Sequence, residues 1–271
     1  MSTPAHPATR SDGFPPGFVA RVLDDALAHG TRILGISGLQ GTGKSTLAAQ
    51  LVAAAGTRGL KAETVSLDDF YLDRPERERL AREVHPLLAT RGPPGTHDVA
   101  LACATLDALR RGDAVRLPAF DKLADRCMPE ARWRETEDVT LVVFEGWCVG
   151  TPAEDDGALA EPVNALERDE DADGIWRRFC NDALARDYPP LWSRIDRLVF
   201  LQPPGFDIVS EWRWQQEQSL QASDPSRTAM TRAQVERFVR HYERISRQAL
   251  RTLPGIADVV VSLDAGRRPT G

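Results

Sequence analysis

The stretch Gly38-Leu-Gln-Gly-Thr-Gly-Lys-Ser-Thr46 determines how the rest of this chain is interpreted. It fits the pattern GxxxxGK[ST], in which glycines allow consecutive backbone N–H groups to surround a polyphosphate. An apolar run at 32–37, typical of a strand, precedes it, and a helical pattern at 44–55 follows it. Because the amino end of a helix also favours bound anions, this strand–loop–helix context predicts a site for nucleotide phosphates.

Two side chains of this loop have chemistry suited to a bound nucleotide. The ammonium of Lys44 reaches the β- and γ-phosphates of a bound nucleotide, and the hydroxyl of Ser45 ligates Mg²⁺. The sequence therefore predicts a nucleotide site with Mg²⁺, built from Gly38, Leu39, Gln40, Gly41, Thr42, Gly43, Lys44, Ser45 and Thr46.

The rest of the chain alternates between strand and helix patterns. Strands are predicted at 63–67, 114–118, 139–144, 197–201 and 257–263, and helices at 18–29, 100–111, 174–185, 206–222 and 231–253. This order predicts an α/β fold with a mostly parallel sheet between two layers of helices, the three-layer sandwich of the P-loop NTPase type. The charged segment at 74–83 has no assigned element, and the acidic stretch at 167–173 is interpreted as a solvated loop.

Length and composition indicate one folded domain. Of the 271 residues, 42% are hydrophobic and 27% are charged, which is typical of globular proteins. The sequence predicts a disordered leader at 1–17 and a single domain at 18–271, with a substrate-side insertion at about 70–135.

Charge and local patterns exclude several classes of protein. The 34 Lys and Arg residues against 40 Asp and Glu residues give a net charge of −6, which is unsuited to nucleic-acid phosphates. The apolar runs are far shorter than the roughly 20 residues of a membrane span, and residues 1–17 lack the apolar core of a secretory signal. Four scattered cysteines without a CxxC pair suit a reducing cytosol. A cytoplasmic location without nucleic-acid or membrane partners is expected.

Carboxylates stand at the predicted carboxyl ends of two strands. Asp68 and Asp69 follow the strand at 63–67, and Glu145 follows the strand at 139–144. Because ligands of open parallel sheets bind at the carboxyl ends of strands, these side chains are predicted to face the phosphate loop. One aspartate there can accept a proton from an attacking hydroxyl, and the other carboxylates can order Mg²⁺. The alternatives are an acidic turn at Asp68–Asp69 and a solvated strand end at Glu145.

A phosphate loop alone is compatible with a kinase, a GTPase switch or a motor ATPase. The guanine-specific NKxD element is absent, because the two asparagines, Asn164 and Asn181, are followed by Ala and Asp. This counts against a GTPase switch.

Six segments in order carry a resemblance to a known family: GISGLQGTGKSTL (35–47), SLDDFYL (66–72), RGPPGTHD (91–98), LPAFDK (117–122), VVFEGW (142–147) and EWRWQQE (211–217). Together they resemble the D-glycerate 3-kinase family, the plant-type glycerate kinases and their microbial relatives. More broadly they are similar to the group of uridine kinase, phosphoribulokinase and bacterial pantothenate kinase. The resemblance covers about 33–253, most of the chain.

This resemblance implies an enzyme that uses ATP and Mg²⁺ to phosphorylate a hydroxyl of a small organic molecule. The acceptor that it implies is D-glycerate, at the 3-hydroxyl. It assigns Asp68 as the catalytic base and Glu145, with Ser45 and Asp69, to Mg²⁺. It also implies a lid helix at about 206–222, whose Arg213 closes over the phosphates and stabilises the transferring group together with Lys44. The alternative for Arg213 is a solvated helix arginine.

The acceptor region of the resemblance supplies the candidate substrate residues Asp69, Tyr71, Arg91, His97, Asp98, Asp121 and Lys122. A glycerate-like acceptor needs a cation for its carboxylate and acceptors for its hydroxyls. His97–Asp98 can equally cap the helix at 100–111, and Asp121–Lys122 can be an exposed turn pair. Arg126 belongs to no motif of the family and is the weakest candidate.

Two other functions stay open. One is a kinase of the same architecture with another acceptor, such as a nucleoside, pantothenate or a sugar acid. The other is a regulatory ATPase with slow hydrolysis that a protein partner stimulates. The sequence does not predict an oligomeric state.

Overall fold

The computed structural model describes residues 13–223 and 229–270. Helices and strands alternate along them as predicted, with the sheet strands within two residues of their expected bounds. The elements are α1 (Pro16–Ala28), β1 (Ile33–Gly38), α2 (Lys44–Thr57), β2 (Ala62–Ser66), α3 (Arg74–Glu83), α4 (Val99–Arg111), β3 (Val115–Leu117), β4 (Phe120–Asp121), β5 (Arg126–Cys127), β6 (Arg134–Thr136), β7 (Leu141–Gly146), α5 (Ala165–Glu170), α6 (Ile175–Arg186), α7 (Pro189–Trp192), β8 (Arg197–Gln202), α8 (Ile208–Ser223), α9 (Arg232–Arg240), α10 (Glu243–Thr252) and β9 (Val259–Ser262).

Five strands form one parallel sheet in the order β2-β7-β1-β8-β9. Strand β7 lies between β1 and β2, although it follows them along the chain. The register aligns Ile36 of β1 with Glu145 of β7, and Glu145 with Ser66 of β2. The carboxyl ends of these three strands therefore meet at one edge of the sheet.

Apolar side chains cover both faces of this sheet. Leu34 and Val143 pack in a cluster with side chains of α1 and α2, whereas Ile33 and Phe144 pack in a second cluster with side chains of α4, α7, α9 and α10. Strand residues alternate between the two clusters because successive side chains of a strand point to opposite faces. The predicted three-layer α/β sandwich is confirmed.

The charged segment at 74–83, for which the sequence predicts no element, is helix α3. The carboxylate of Glu76 accepts a hydrogen bond from the backbone N–H of Asp73 at 3.1 Å, as part of a capping box that begins the helix. Arg77 is its buried residue and donates to the carbonyls of Leu72 and Ala89. Because a guanidinium takes the buried position, apolar periodicity does not reveal this helix.

The interpretation of 167–173 as a solvated loop is wrong. Helix α5 covers part of it, and the side chains of Glu167 and Asp171 are buried. Glu167 pairs with Arg244 at 2.7 Å and Asp171 with Arg177 at 3.1 Å. The carboxylates are buried because each meets a buried guanidinium from another helix, a pairing that local sequence does not show.

The predicted helix at 231–253 is two helices, α9 and α10, separated at His241 and Tyr242. The hydroxyl of Tyr242 donates to the carbonyl of Arg91 at 2.8 Å, and its ring meets that of Trp147 edge-on at 4.9 Å. Tyr242, at the break between the two helices, thus contacts both Arg91 and the Trp147 that follows β7.

At the amino end, residues 1–12 of the predicted leader lie outside the described residues. The remainder of that leader differs from the expectation, because Phe14 is buried and Pro16 begins α1. In the described parts of the chain, no helix has the length and apolar character needed to cross a membrane.

Candidate active site

The phosphate loop lies where β1 ends and α2 begins, at the sheet edge described above. Gly43 caps α2 in the left-handed conformation, with φ of +88°. The ammonium of Lys44 donates to the carbonyl of Leu39 at 3.0 Å, inside the loop. Burial lowers the pKa of Lys44, and the nearby carboxylates of Glu145 and Asp68 oppose this effect. The loop thus holds the half-buried side chain of Lys44 within the electrostatic reach of two carboxylates.

Glu145 meets the phosphate loop directly. Its Oε1 accepts a hydrogen bond from the hydroxyl of Ser45 at 3.0 Å, and its side chain is buried at the end of β7. This hydroxyl and carboxylate are the hard oxygen ligands that Mg²⁺ prefers. Within residues 13–223 and 229–270, no group of three or more His, Cys, Asp or Glu side chains could hold a metal ion. Mg²⁺ at nucleotide sites needs fewer, because substrate phosphates complete its coordination.

Asp68 lies in a 3-10 turn directly after β2 and holds two hydrogen bonds. Its Oδ1 accepts from the Tyr71 hydroxyl at 2.6 Å, and its Oδ2 accepts from the Lys122 ammonium at 2.6 Å. Burial opposes ionisation of this carboxyl, but Lys122 and Tyr71 outweigh it and lower the pKa of Asp68. Asp68 is therefore an oriented carboxylate at neutral pH.

Asp69 differs from its neighbour. Burial raises the pKa of Asp69 to about 6, although its Oδ1 accepts a hydrogen bond from the backbone N–H of Phe120 at 3.3 Å. This bond ties the turn after β2 to β4.

Lys122 is carried by a short hairpin, β4–β5 with its turn (120–127), which we call the acceptor hairpin. Its turn residue Asp125 pairs with the guanidinium groups of Arg77, at 2.9 Å, and Arg91. Arg91 also donates to the carbonyl of Lys122 at 3.1 Å. Two arginines therefore fix the hairpin that presents Lys122 to Asp68.

His97 and Asp98 have separate surroundings. The carboxylate of Asp98 accepts from the backbone N–H of Leu101 at 2.8 Å, so it caps α4, which favours the capping alternative. His97 is buried, its ring contacts that of Tyr71 at 4.9 Å, and its Nδ1 lies 2.6 Å from the Tyr188 hydroxyl. Burial lowers the pKa of His97 to about 4, so this ring is neutral beside the site.

Asp121 and Arg126 lie at the two sides of the acceptor hairpin. The carboxylate of Asp121 accepts from the backbone N–H groups of Leu123 and Ala124, both at 2.9 Å, and so stabilises the turn. Arg126 is exposed on β5. The structure thus gives Asp121 a turn contact and brings Lys122, rather than Arg126, to Asp68.

Arg213 lies on α8, and its described contacts are with α8 and α9 rather than with the phosphate loop. It pairs with Glu217 at 3.1 Å and its guanidinium lies 5.6 Å from the Phe238 ring of α9. The neighbouring Trp212 is buried and touches the loop, because a Cβ on Gly41 would lie 2.7 Å from the Cβ of Trp212.

Sequence patterns missed one residue at the loop, Arg267. Its Nε donates to the carbonyl of Gly41 at 2.7 Å, although 226 positions separate the two residues. No motif marks this arginine in the sequence.

Comparisons with known proteins agree with this geometry. No protein-family model matches the chain. The uncharacterized kinase mug58 of Schizosaccharomyces pombe is 37% identical over 223 residues, 78% of this chain and 78% of that protein. The chloroplastic D-glycerate 3-kinase of Arabidopsis thaliana is 28% identical over 262 residues, and the match covers 88% of this chain but about half (53%) of the plant protein.

One solved structure is similar over nearly its whole length. The D-glycerate 3-kinase of Cryptococcus neoformans var. grubii superposes with a TM-score of 0.76 and 27% sequence identity, covering 94% of this chain and 96% of the fungal one. This chain therefore shares its fold with a protein named D-glycerate 3-kinase.

Proposed function

This chain belongs to the D-glycerate 3-kinase family of P-loop kinases, and we propose that it transfers the γ-phosphoryl group of ATP to the 3-hydroxyl of D-glycerate. The convergence of Lys44, the Ser45–Glu145 pair and Asp68 at one sheet edge carries this proposal. Lys44 and Ser45 begin α2 directly after β1, Glu145 lies on β7, and Asp68 follows β2, so the proposed phosphate, metal and base groups stand at neighbouring strand ends.

Asp68 is the group that takes the proton of the attacking hydroxyl. An ionised carboxylate has about four lone-pair sites, and Tyr71 and Lys122 use one on each oxygen. Both oxygens thus keep a site for a substrate hydroxyl. Lys44 stabilises charge on the transferring phosphoryl group. Arg213 does the same once its side chain turns from Glu217 toward the phosphates.

Ser45 and Glu145 would hold Mg²⁺, and Asp69 would orient its waters. The chemistry that Mg²⁺ would supply there is positive charge against the charge that develops on the phosphate oxygens. The protein contributes position and electrostatics, which are the main sources of rate in phosphoryl transfer.

Lys122 favours an organic acid over a neutral nucleoside as the acceptor. Its ammonium has three N–H donors, and the described contacts use one of them on Asp68. The side chain is half exposed, at 54%, so the others face the open side of the site. In contrast, Arg91 is engaged by Asp125 and by a hairpin carbonyl. We assign Lys122 to the carboxylate of the acceptor, with the 3-hydroxyl at Asp68.

The direct experiment measures ADP release with ATP and Mg²⁺ across D-glycerate, L-glycerate, other sugar acids, uridine and pantothenate. Strong stimulation by D-glycerate alone, with the product phosphate on carbon 3 by NMR, supports the proposal. Stimulation by another compound keeps the kinase and replaces the acceptor. Slow hydrolysis that no acceptor stimulates contradicts the proposal and favours the regulatory ATPase.

Asp68→Asn tests the base. The amide cannot take the proton, so we expect kcat to fall by about 10²- to 10⁴-fold while the Kd for ATP stays within about twofold. Asp113→Asn is the matched control, because Asp113 is exposed and its described contact is an ion pair with Arg111. Turnover of Asp68→Asn within about threefold of the native enzyme would remove Asp68 as the base.

A further inference from the structure

The segment after β9 folds back onto the phosphate loop through one arginine. Arg267 has φ of +65°, a left-handed conformation that is uncommon for residues other than glycine. The turn is held by Asp264, whose carbonyl accepts from the backbone N–H of Arg267 and whose carboxylate accepts from that of Arg268, both at 2.9 Å. This turn keeps the backbone of Arg267 in the left-handed region and so fixes where its side chain starts.

That side chain joins three parts of the molecule. Its Nε donates to the carbonyl of Gly41 at 2.7 Å, its Nη2 donates to Oε1 of Gln215 on α8 at 3.0 Å, and its guanidinium lies 5.0 Å from the Trp212 ring. Trp212 in turn donates from its indole N–H to the carbonyl of Ala265 in the same turn, at 3.0 Å. The guanidinium is therefore fixed beside the centre of the loop.

The charge of this guanidinium is uncompensated. Its partners are a carbonyl, an amide and an aromatic face, and in residues 13–223 and 229–270 no carboxylate pairs with it. Burial lowers the pKa of Arg267, which shows that its charge has lost part of its hydration. Many other arginines here, such as Arg77 and Arg244, have carboxylate partners. Arg267 is thus a half-buried cation beside the phosphate loop, and a bound polyphosphate would supply the negative charge that its described partners do not.

We propose that Arg267 is a nucleotide-binding residue, whose guanidinium supplies the charge that the polyphosphate of ATP neutralises beside Gly41. This inference rests on the use of ATP in the proposed function. It extends the nucleotide site beyond the loop motif to the far end of the chain.

Isothermal titration of ATP into the full chain tests it with three variants. Arg267→Gln keeps an amide of similar reach without charge, and we expect the Kd for ATP to rise about 10- to 100-fold, as for loss of a charge-assisted contact. Arg267→Lys keeps the charge and should stay within about threefold. The control Arg268→Gln removes the same charge one residue away, where the side chain is exposed, and should stay within about twofold.

Kinetics provide a second readout that a merely structural role would not produce. In Arg267→Gln the KM for ATP should rise while the KM for the acceptor stays within about twofold, because the acceptor hairpin lies at another part of the site. Equal loss of ATP affinity in Arg267→Gln and Arg267→Lys would overturn the proposal in favour of an anchor for the loop. Unchanged affinity in Arg267→Gln, or an equal loss in Arg268→Gln, would also overturn it. Native protein that binds no ATP would instead contradict the proposed function.

Discussion

Burial decides the protonation of His97 at neutral pH. The ring is 5% exposed, and burial lowers the pKa of His97 to about 4 against the opposing charge of Asp68. In the unfolded chain the same group titrates near 6.5. Between these values the unfolded state binds more protons, so the free energy of unfolding falls as pH falls from 6.5 toward 4.

His97→Asn should remove this pH dependence. The native protein is expected to lose roughly 3 kcal/mol through this group between pH 6.5 and 4, and the variant should show a correspondingly smaller decrease. Urea unfolding at pH 7, 6, 5 and 4.5 measures it, with His29→Asn as the control because His29 is exposed. Parallel pH profiles for His97→Asn and the native protein would contradict the prediction.

At this scale the sequence predicted the residues that a motif or a strand end marks. Lys44 and Ser45 follow from the loop pattern, and Glu145 follows from its place at the end of an apolar run. The partnership of Asp68 with Lys122 was not predictable, because the two residues are 54 positions apart and the hairpin that carries Lys122 is fixed by the pairing of Asp125 with Arg77.

At the scale of elements, the phosphate loop is packed against helix α8. Gly41 has φ of +83°, and a Cβ there would lie 2.7 Å from the Cβ of Trp212, which is held by its helix backbone. Gly59 has a similar φ of +73° after α2, but a Cβ there would meet nothing within 4 Å. A side chain at either glycine would strain the backbone, but only a side chain at Gly41 would also collide with a neighbouring residue.

Gly41→Ala should weaken ATP binding, whereas Gly59→Ala should leave the affinity for ATP unchanged. Gly59→Ala is expected to cost about 1–2 kcal/mol of stability from its left-handed backbone alone. Gly41→Ala carries the same strain and also displaces α8 or the loop, so we expect the Kd for ATP to rise at least tenfold. Calorimetric ATP titration and thermal unfolding of both variants measure the two effects. Equal ATP affinity in the two variants would contradict the prediction, because Trp212 would then move aside without disturbing the loop.

Asp125 fixes the acceptor hairpin through its ion pairs with Arg77 and Arg91. Arg77 and Arg91 outweigh the effect of burial and lower the pKa of Asp125, so its charge holds both guanidinium groups. Asp125 also has φ of +55°, a conformation that Asn tolerates.

Asp125→Asn should therefore remove the charge without straining the turn. We expect the KM for the acceptor to rise about tenfold or more because Lys122 loses its fixed position, with the KM for ATP nearly unchanged. Asp138→Asn is the matched control, since Asp138 also has a positive φ, +52°, and is exposed outside the site. A rise in both KM values by the same factor would indicate general loosening instead.

At the scale of the whole molecule, a buried ionic cluster joins the segment before α6 to the last helices. Arg244 of α10 pairs with Glu167 at 2.7 Å and Glu154 at 3.1 Å, and all three side chains are at most 5% exposed. Arg244→Met should lower the free energy of unfolding by about 3–5 kcal/mol, because the buried carboxylate of Glu167 loses its guanidinium partner and that of Glu154 keeps only Arg251. Arg240→Met, at an exposed position of α9, is the control. Equal urea midpoints for the two variants would contradict the prediction, and Arg244→Lys gives a milder change if Arg244→Met does not fold.

The fold as a whole was predictable because the alternation of apolar strands and helices dictates a parallel sheet covered on two faces. The run at 139–144 shows this, since β7 has both faces buried. Helix α3 and the region of Glu167 were not predictable, because buried guanidinium–carboxylate pairs replace the apolar side chains on which periodicity depends.

The strand order also has a consequence for how the chain is made. Translation delivers β1 and β2 first, yet the strand that belongs between them emerges about 75 residues later. At about 5–20 residues per second this delay lasts roughly 4–15 s on the ribosome. During this delay, β1 and β2 lack the strand that separates them in the folded sheet. Their unpaired backbone N–H and C=O groups can then pair with each other or with neighbouring nascent chains. The strand ends that carry the candidate site thus come together only after β7 is made, and we expect the incomplete nascent chain to expose its strand edges until then.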